Sequence, residues 1–260
     1  AEDSERNLLD VPPRFAIPHK ANITPATDGV WEQLDAKTLR WSLRVSSHNA
    51  ISMNLGFERW SLPRTASMVV SASDGSMAIR PFTQLDNKDH GELWTPVVIG
   101  DEVLVEIVVS NRYQREVNKQ IELTSINVGY RGFYEHGVDR SGSCNVDVVC
   151  EEGDDWWDEI PCVAVISNGG STFCTGFMVN NTSQDRTPYF MSANHCSVSA
   201  SSLVTYWNYQ NSYCRVPGSG DSGGSGDGQL NQFNTGATHL SSGSASDYTL
   251  VVMDDSPDDA

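Results

Sequence analysis

Apolar and polar residues alternate strictly along much of the first half of the chain. Leu39, Trp41, Leu43 and Val45 are separated by single polar or charged residues, and Ile51, Met53, Leu55 and Phe57 repeat the pattern. A period of two places such residues on one face of a strand, so each run predicts a strand with one buried side. Met68 to Ala72, Val103 to Val109 and Ile121 to Val128 add further strand-like runs, with turn signals such as "SDG" at 73–75 and "IGDE" at 99–102 between them. Helical periodicity is barely visible. Six or more strands within about 100 residues predict a β-sandwich or jelly-roll over residues 31–137. Residues 1–30 are polar and carry Pro12, Pro13, Pro18 and Pro25, which reads as an extended arm.

The segment "GYRGFYEHGVDRSG" (129–142) interrupts the alternation with glycines and charges, and the module boundary is placed here, between 137 and 138. Short strand-like runs resume at Val163–Ile166, Phe177–Val179, Tyr189–Met191, Leu203–Asn208 and Tyr248–Met253. The stretch 217–246 is dominated by Gly, Ser, Asp and Asn and reads as one long low-complexity loop. The chain is therefore expected to be mainly β, in two modules.

Composition narrows the compartment and the partners. There are 34 acidic and 17 basic residues, a net charge of −17, which repels nucleic acid and anionic membranes. The densest acidic stretches, "EEGDDWWDE" (151–159) and "DDSPDD" (254–259), lack calcium-loop spacing and read as solvated loops. All six cysteines fall between Cys144 and Cys214, so only the second module is stapled. With no CxxC pair and no Cys/His cluster at zinc spacing, disulfides are expected, and with them a periplasmic or extracellular setting. His19, His48, His90, His136 and His239 have no acid or cysteine at ligand spacing, so neither a metal nor a cofactor is expected.

Candidate chemistry lies in the second module. Gly-Asp-Ser-Gly-Gly at 220–224 has the letters expected around a nucleophilic serine, Ser222. Its surroundings, "PGSGDSGGSGDGQ", supply those letters cheaply, and the glycine turn of a true oxyanion site must be held rigid to present its amides. Ser222 is read as a loop residue. A stronger signal is "YFMSANHC", where a strand ends at Met191 and a small-residue turn presents His195, with Cys196 placed to pin that turn to Cys174 one strand back. In "SASDYTLVV", Asp247 opens an apolar strand, where a partly buried carboxylate would accept from one imidazole nitrogen and fix its tautomer.

Taken together, "CTGFMVNN", "YFMSANHC" and "SDYTLVV" resemble the first barrel of a chymotrypsin-fold serine protease. "SGSCNVDVVC" (141–150), "CTGFMVNNT" (174–182) and "VTYWNYQNSYCR" (204–215) are similar to the bacterial lysyl endopeptidases. The resemblance covers roughly residues 138–260. It implies a secreted endopeptidase precursor cutting after lysine or another basic residue, with 1–137 as a pro-region released near Asp139–Ser141. It implies His195 as general base, Asp247 as orienting acid, and disulfides Cys174–Cys196 and Cys150–Cys214. Cys144 would bridge to a cysteine of the second barrel, whereas Cys162 departs from the pattern and is either free or paired with Cys144.

The fold implied has two barrels and takes its serine from the second, in the chain order His, Asp, Ser. Residues 138–260 have room for one barrel, so the nucleophile, oxyanion hole and specificity pocket are expected on a C-terminal half, as further residues or a separate chain. The 260 residues by themselves are then expected to be inactive. The competing reading is a truncated, non-catalytic homologue that binds or inhibits other proteins.

Overall fold

The computed structural model describes residues 5–6, 8–9, 11–132, 145–222 and 226–257. The chain separates into two compact units. One comprises Ala16–Tyr130 with Gly169–Ser171, and the other Ala1–Phe15, Arg131–Asn168 and Thr172–Ala260. The boundary expected at 137/138, the processing region Asp139–Ser141, Arg140, His136 and Cys144 lie outside the described residues.

The first unit contains β1 (Ala16–Ile23), β2 (Val30–Gln33), β3 (Thr38–Ser46), β4 (Ser52–Arg59), β5 (Ser67–Ala72), β6 (Leu93–Trp94), β7 (Val98–Ile99), β8 (Glu102–Ser110) and β9 (Glu122–Gly129). One sheet runs β1-β9-β4-β6, with β7 also on β4, and the other runs β2-β3-β8-β5, all antiparallel. Alternation decides which face is buried. On β8, Val103, Val105, Ile107 and Val109 are 1 % exposed or less, while Glu102 and Glu106 point outward to Arg44 and Arg40. Met53, Leu55 and Phe57 of β4 and Met68 and Val70 of β5 complete the buried interior. Phe57 packs edge-on against Trp60 at 5.5 Å, and Trp60 against Phe82 at 6.3 Å. Because Phe82 bridges to Met68 of β5, this aromatic chain runs from one sheet to the other, so the two layers form the expected sandwich.

Two features of this unit differ from the expectation. Ala16–Ile23 is an edge strand paired along β9, not part of a free arm. Its side chains are mostly exposed, so no alternation marks it, and Pro18 is tolerated because an edge strand has one unpaired side. A seven-residue helix, Gln114–Gln120, anchored by buried Val117, also interrupts the connection from β8 to β9.

The second unit contains β10 (Val163–Asn168), β11 (Thr172–Val179), β12 (Tyr189–Ser192), β13 (Leu203–Trp207), β14 (Phe233–Thr235), β15 (Ala237–Gly243) and β16 (Tyr248–Met253). The sheet order is β14-β13-β10-β11-β12-β16-β15. Its two ends are one continuous run. Gly236, at φ +78°, turns β14 into β15, donates from its N–H to the carbonyl of Leu203, the first residue of β13, and accepts from the Asp254 N–H after β16. Residues 233–243 thus pair with β13 through their first half and β16 through their second, which closes the sheet into an antiparallel barrel. Closure gives every strand of the sheet a neighbour on both sides over at least part of its length, and the sharp corner needs the left-handed backbone that glycine adopts at no cost.

This corrects the reading of 217–246 as a single loop. β15 pairs by backbone with β16 while showing Thr, His and Ser to solvent, so side-chain alternation could not reveal it. Inside the barrel, Ala164, Ile166, Phe190, Leu203, Trp207, Ala237, Val251 and Met253 form the core. Phe190 meets Trp207 edge-on at 5.9 Å, and the buried Trp207 indole N–H donates to Asn234 Oδ1 at 2.7 Å.

Candidate active site

His195 is carried by a single 3-10 turn, Asn194–Cys196, directly after β12. Three contacts fix that turn. The Ser192 hydroxyl donates to the Thr175 carbonyl at 2.8 Å, holding the end of β12 to β11. A disulfide joins Cys196 to Cys174 of β11. Asn168, at the end of β10, donates from Nδ2 to the Ser197 carbonyl at 2.8 Å and accepts from the Ser199 N–H at 2.7 Å. Ser197 itself sits at φ +52°, so the chain leaves the histidine turn through a strained residue that Asn168 clamps.

Asp247 enters from the other side. Gly243 of β15 pairs with Tyr248 of β16, so Ser244–Asp247 is a four-residue hairpin loop, and Asp247 occupies the left-handed region at φ +48°. Aspartate is among the few residues other than glycine that tolerate this conformation. Both carboxylate oxygens are used on one residue. Oδ1 accepts from the His195 backbone N–H at 2.9 Å, and Oδ2 lies 2.7 Å from His195 Nδ1. Donation by that backbone N–H, then by the imidazole, holds the Asp247 carboxyl below the usual carboxylate range, with the Asn194 amide adding to it.

The sequence suggested a partly buried acid. Among the described residues the Asp247 side chain is instead half exposed, at 50 %, and that of His195 is 30 % exposed. A short hairpin loop at the barrel rim lifts the carboxylate out of the interior, and its position is set by hydrogen bonds instead of burial. With Nδ1 engaged, the ring's Nε2 has no hydrogen-bond partner among the described residues. That nitrogen is open to accept a proton, while Nδ1–H···Oδ2 fixes the tautomer and stabilises the imidazolium that protonation would create.

The second disulfide, Cys150–Cys214, spans 64 residues and ties the segment before β10 to the loop after β13. Beside it, Asp147 accepts from Arg215 Nη2 at 2.7 Å, Arg215 Nε at 3.0 Å, the Arg215 backbone N–H at 2.9 Å and Asn211 Nδ2 at 2.9 Å. Hydrogen bonding by Arg215 depresses the Asp147 carboxyl, and the same contact raises the arginine. Both bridges are those the resemblance implied. Cys162 is an exposed free thiol, which resolves its two alternatives. Cys174, His195 and Cys196 lie within 4.8 Å of one another, but the two sulfurs form one disulfide and offer no thiolate to a metal.

Ser222 lies in a run of reverse turns, with Ser219 N–H donating to the Val216 carbonyl and Ser222 N–H to the Ser219 carbonyl. Gly223, Gly224 and Ser225 fall outside the described residues. The structure brings the expected pair His195 and Asp247 together and forms both expected disulfides, whereas Asn168 and Asp147 were not singled out from the sequence. Asn168 is marked only by an Asn-Gly-Gly turn, and which backbone groups its amide reaches depends on the fold.

Residues 138–260 match the family described as lysyl endopeptidase, C-terminal domain. Over 135 residues the chain is 31 % identical to a lysyl endopeptidase of Pseudomonas aeruginosa, covering 46 % of this chain and 29 % of that protein. The chain thus spans under a third of the length of the curated relative it matches. The barrel that carries His195 and Asp247 is lysyl endopeptidase-like.

Proposed function

We propose that these residues belong to a secreted serine endopeptidase that hydrolyses peptide bonds after lysine, in precursor form, with His195 as general base and Asp247 as orienting acid. The observation that carries this reading is the two-point grip of one carboxylate on one histidine, which orients the ring and fixes its tautomer while leaving Nε2 open. The match of residues 138–260 to the lysyl endopeptidase C-terminal domain supports the substrate class. Two disulfides fit an oxidising, extracellular setting, and none of the described helices is long and apolar enough to cross a membrane.

In this reading the nucleophilic serine comes from a C-terminal protease half outside these 260 residues. His195 Nε2 takes the serine proton as the hydroxyl attacks the scissile carbonyl, then returns it to the leaving amine. Residues 1–137 act as the pro-region, and Ser222 has no chemical role. A phosphonofluoridate probe, which labels activated serines, tests the assignment on the complete protein. The expected product is one labelled peptide from the C-terminal half, lost when His195 is replaced by Gln. Label on Ser222, or labelling that survives His195→Gln, contradicts it.

A further inference from the structure

We propose that the N-terminal part of β11 is a strand-pairing surface for an extended polypeptide, and that the chain's own Pro12–Phe15 is its resident occupant, blocking the approach to His195. This rests on the protease reading only for its consequence, inhibition; the docking itself does not require it.

β11 is eight residues long, but β12 pairs only with Gly176–Val179. On that side Thr172–Thr175 extend past the end of β12, at the point where the chain turns away toward His195. The stretch is therefore an open strand edge in line with β12, and an open edge pairs readily with any extended chain. Arg14 fills it, forming an antiparallel bridge with Thr172, and the Phe173 N–H donates to the Pro13 carbonyl at 3.1 Å.

Side chains hold the segment there. Phe15 is 1 % exposed and packs against Phe173 with ring centroids 6.4 Å apart. Arg131 donates from Nε to the Arg14 carbonyl at 2.7 Å, and its guanidinium lies 6.0 Å from the centre of the Phe173 ring. Pro12 and Pro13 are buried, bias the segment toward an extended form before it docks, and lack N–H donors for any longer ladder. Phe173 precedes Cys174, whose disulfide immobilises the histidine turn, so the occupant lies one residue from the bond that positions His195. A polypeptide substrate aligned along the same edge would have to displace it.

Hydrogen exchange at the Phe173 amide tests the docking on the full chain. In Phe15→Ala, exchange there should rise at least tenfold, while Met191 and Leu250, paired between β12 and β16, keep their protection as a control for folding. Arg131→Lys, which keeps the charge but removes the guanidinium that donates to the Arg14 carbonyl, should give a smaller rise if Phe15→Ala fails to fold. Synthetic Val-Pro-Pro-Arg-Phe-Ala added to the variant should restore protection and, in a preparation that cleaves a lysyl peptide, slow cleavage. Unchanged Phe173 exchange in both variants overturns the docking, and restored protection without slower cleavage overturns the block. Complete absence of cleavage with the exchange results as expected would count against the protease reading alone.

Discussion

The two units solve the same problem, stabilising antiparallel sheet, with different materials. The sandwich holds no cysteine and relies on an apolar interior in which Phe57, Trp60 and Phe82 link its sheets. The barrel has a smaller core and long loops rich in Gly, Ser and Asn, and it adds two disulfides and polar clamps at Asp147, Asn168 and Asp247. Loops of that composition bury little apolar surface, so covalent and charged contacts must fix whatever they carry. The clamps at Asn168 and Asp247 hold the turn that carries His195, where position matters more than burial.

The largest test of this contrast is Phe57→Ala. Loss of a fully buried aromatic should cost the sandwich about 3–5 kcal/mol, read as faster amide exchange on β4 and β8, with β10–β16 unaffected. An equal effect on the barrel would blur the distinction. Next, replacing Cys150 and Cys214 by Ser should destabilise the barrel by about 2–4 kcal/mol in urea titration followed at Trp207, and leave the sandwich strands as they were. Arg215→Ala, which strips a nearly buried carboxylate of its two guanidinium bonds and leaves the backbone N–H bond in place, should cost about 1–3 kcal/mol in the same assay.

The smallest effects concern pH. Asp185 is held at about 2 by Thr187, through its hydroxyl and backbone N–H, with Asn181 adding to it. Asp247 is lowered too, by His195. A carboxylate whose folded pKa lies below its unfolded value of about 3.9 stabilises above that value and loses the contribution as pH falls through the folded pKa. Acidification should therefore release the Asp247–His195 contact somewhere below about pH 4, whereas the Asp185 turn should persist nearly to pH 2. Carboxyl titration by NMR reads both, and a normal value at Asp247 would show that the contact does not form.

The same contrast explains what could be read from sequence. Alternation betrays β3, β4 and β8, because one face carries the apolar residues of the core; the polar residues of the other face are partly exposed on β3 and β8, whereas Ser52 and Asn54 of β4 are buried as well. It is silent for β1, an exposed edge strand, and for β14 and β15, whose role is to close the barrel by backbone pairing at Gly236. His195 and Asp247 were legible as a pair because each has a distinctive local setting, "SANHC" and "SASDYT". The exposure of Asp247 was not, since it follows from a four-residue hairpin loop at the rim. Asn168 was invisible because an asparagine's partners are chosen by tertiary structure. Five letters around Ser222 match a nucleophile's setting, yet His195 and Asp247, 52 residues apart, are the pair the fold brings together.

The most direct test of the account is the effect of Asp247→Asn on cleavage of a lysyl peptide by the complete protein. Asparagine preserves size and can keep the bond from the His195 backbone N–H, but it cannot stabilise the imidazolium or hold the same tautomer. The account predicts a fall in kcat of about 10⁴ with KM and the barrel's amide exchange little changed. A kcat within a few-fold of the parent would contradict it.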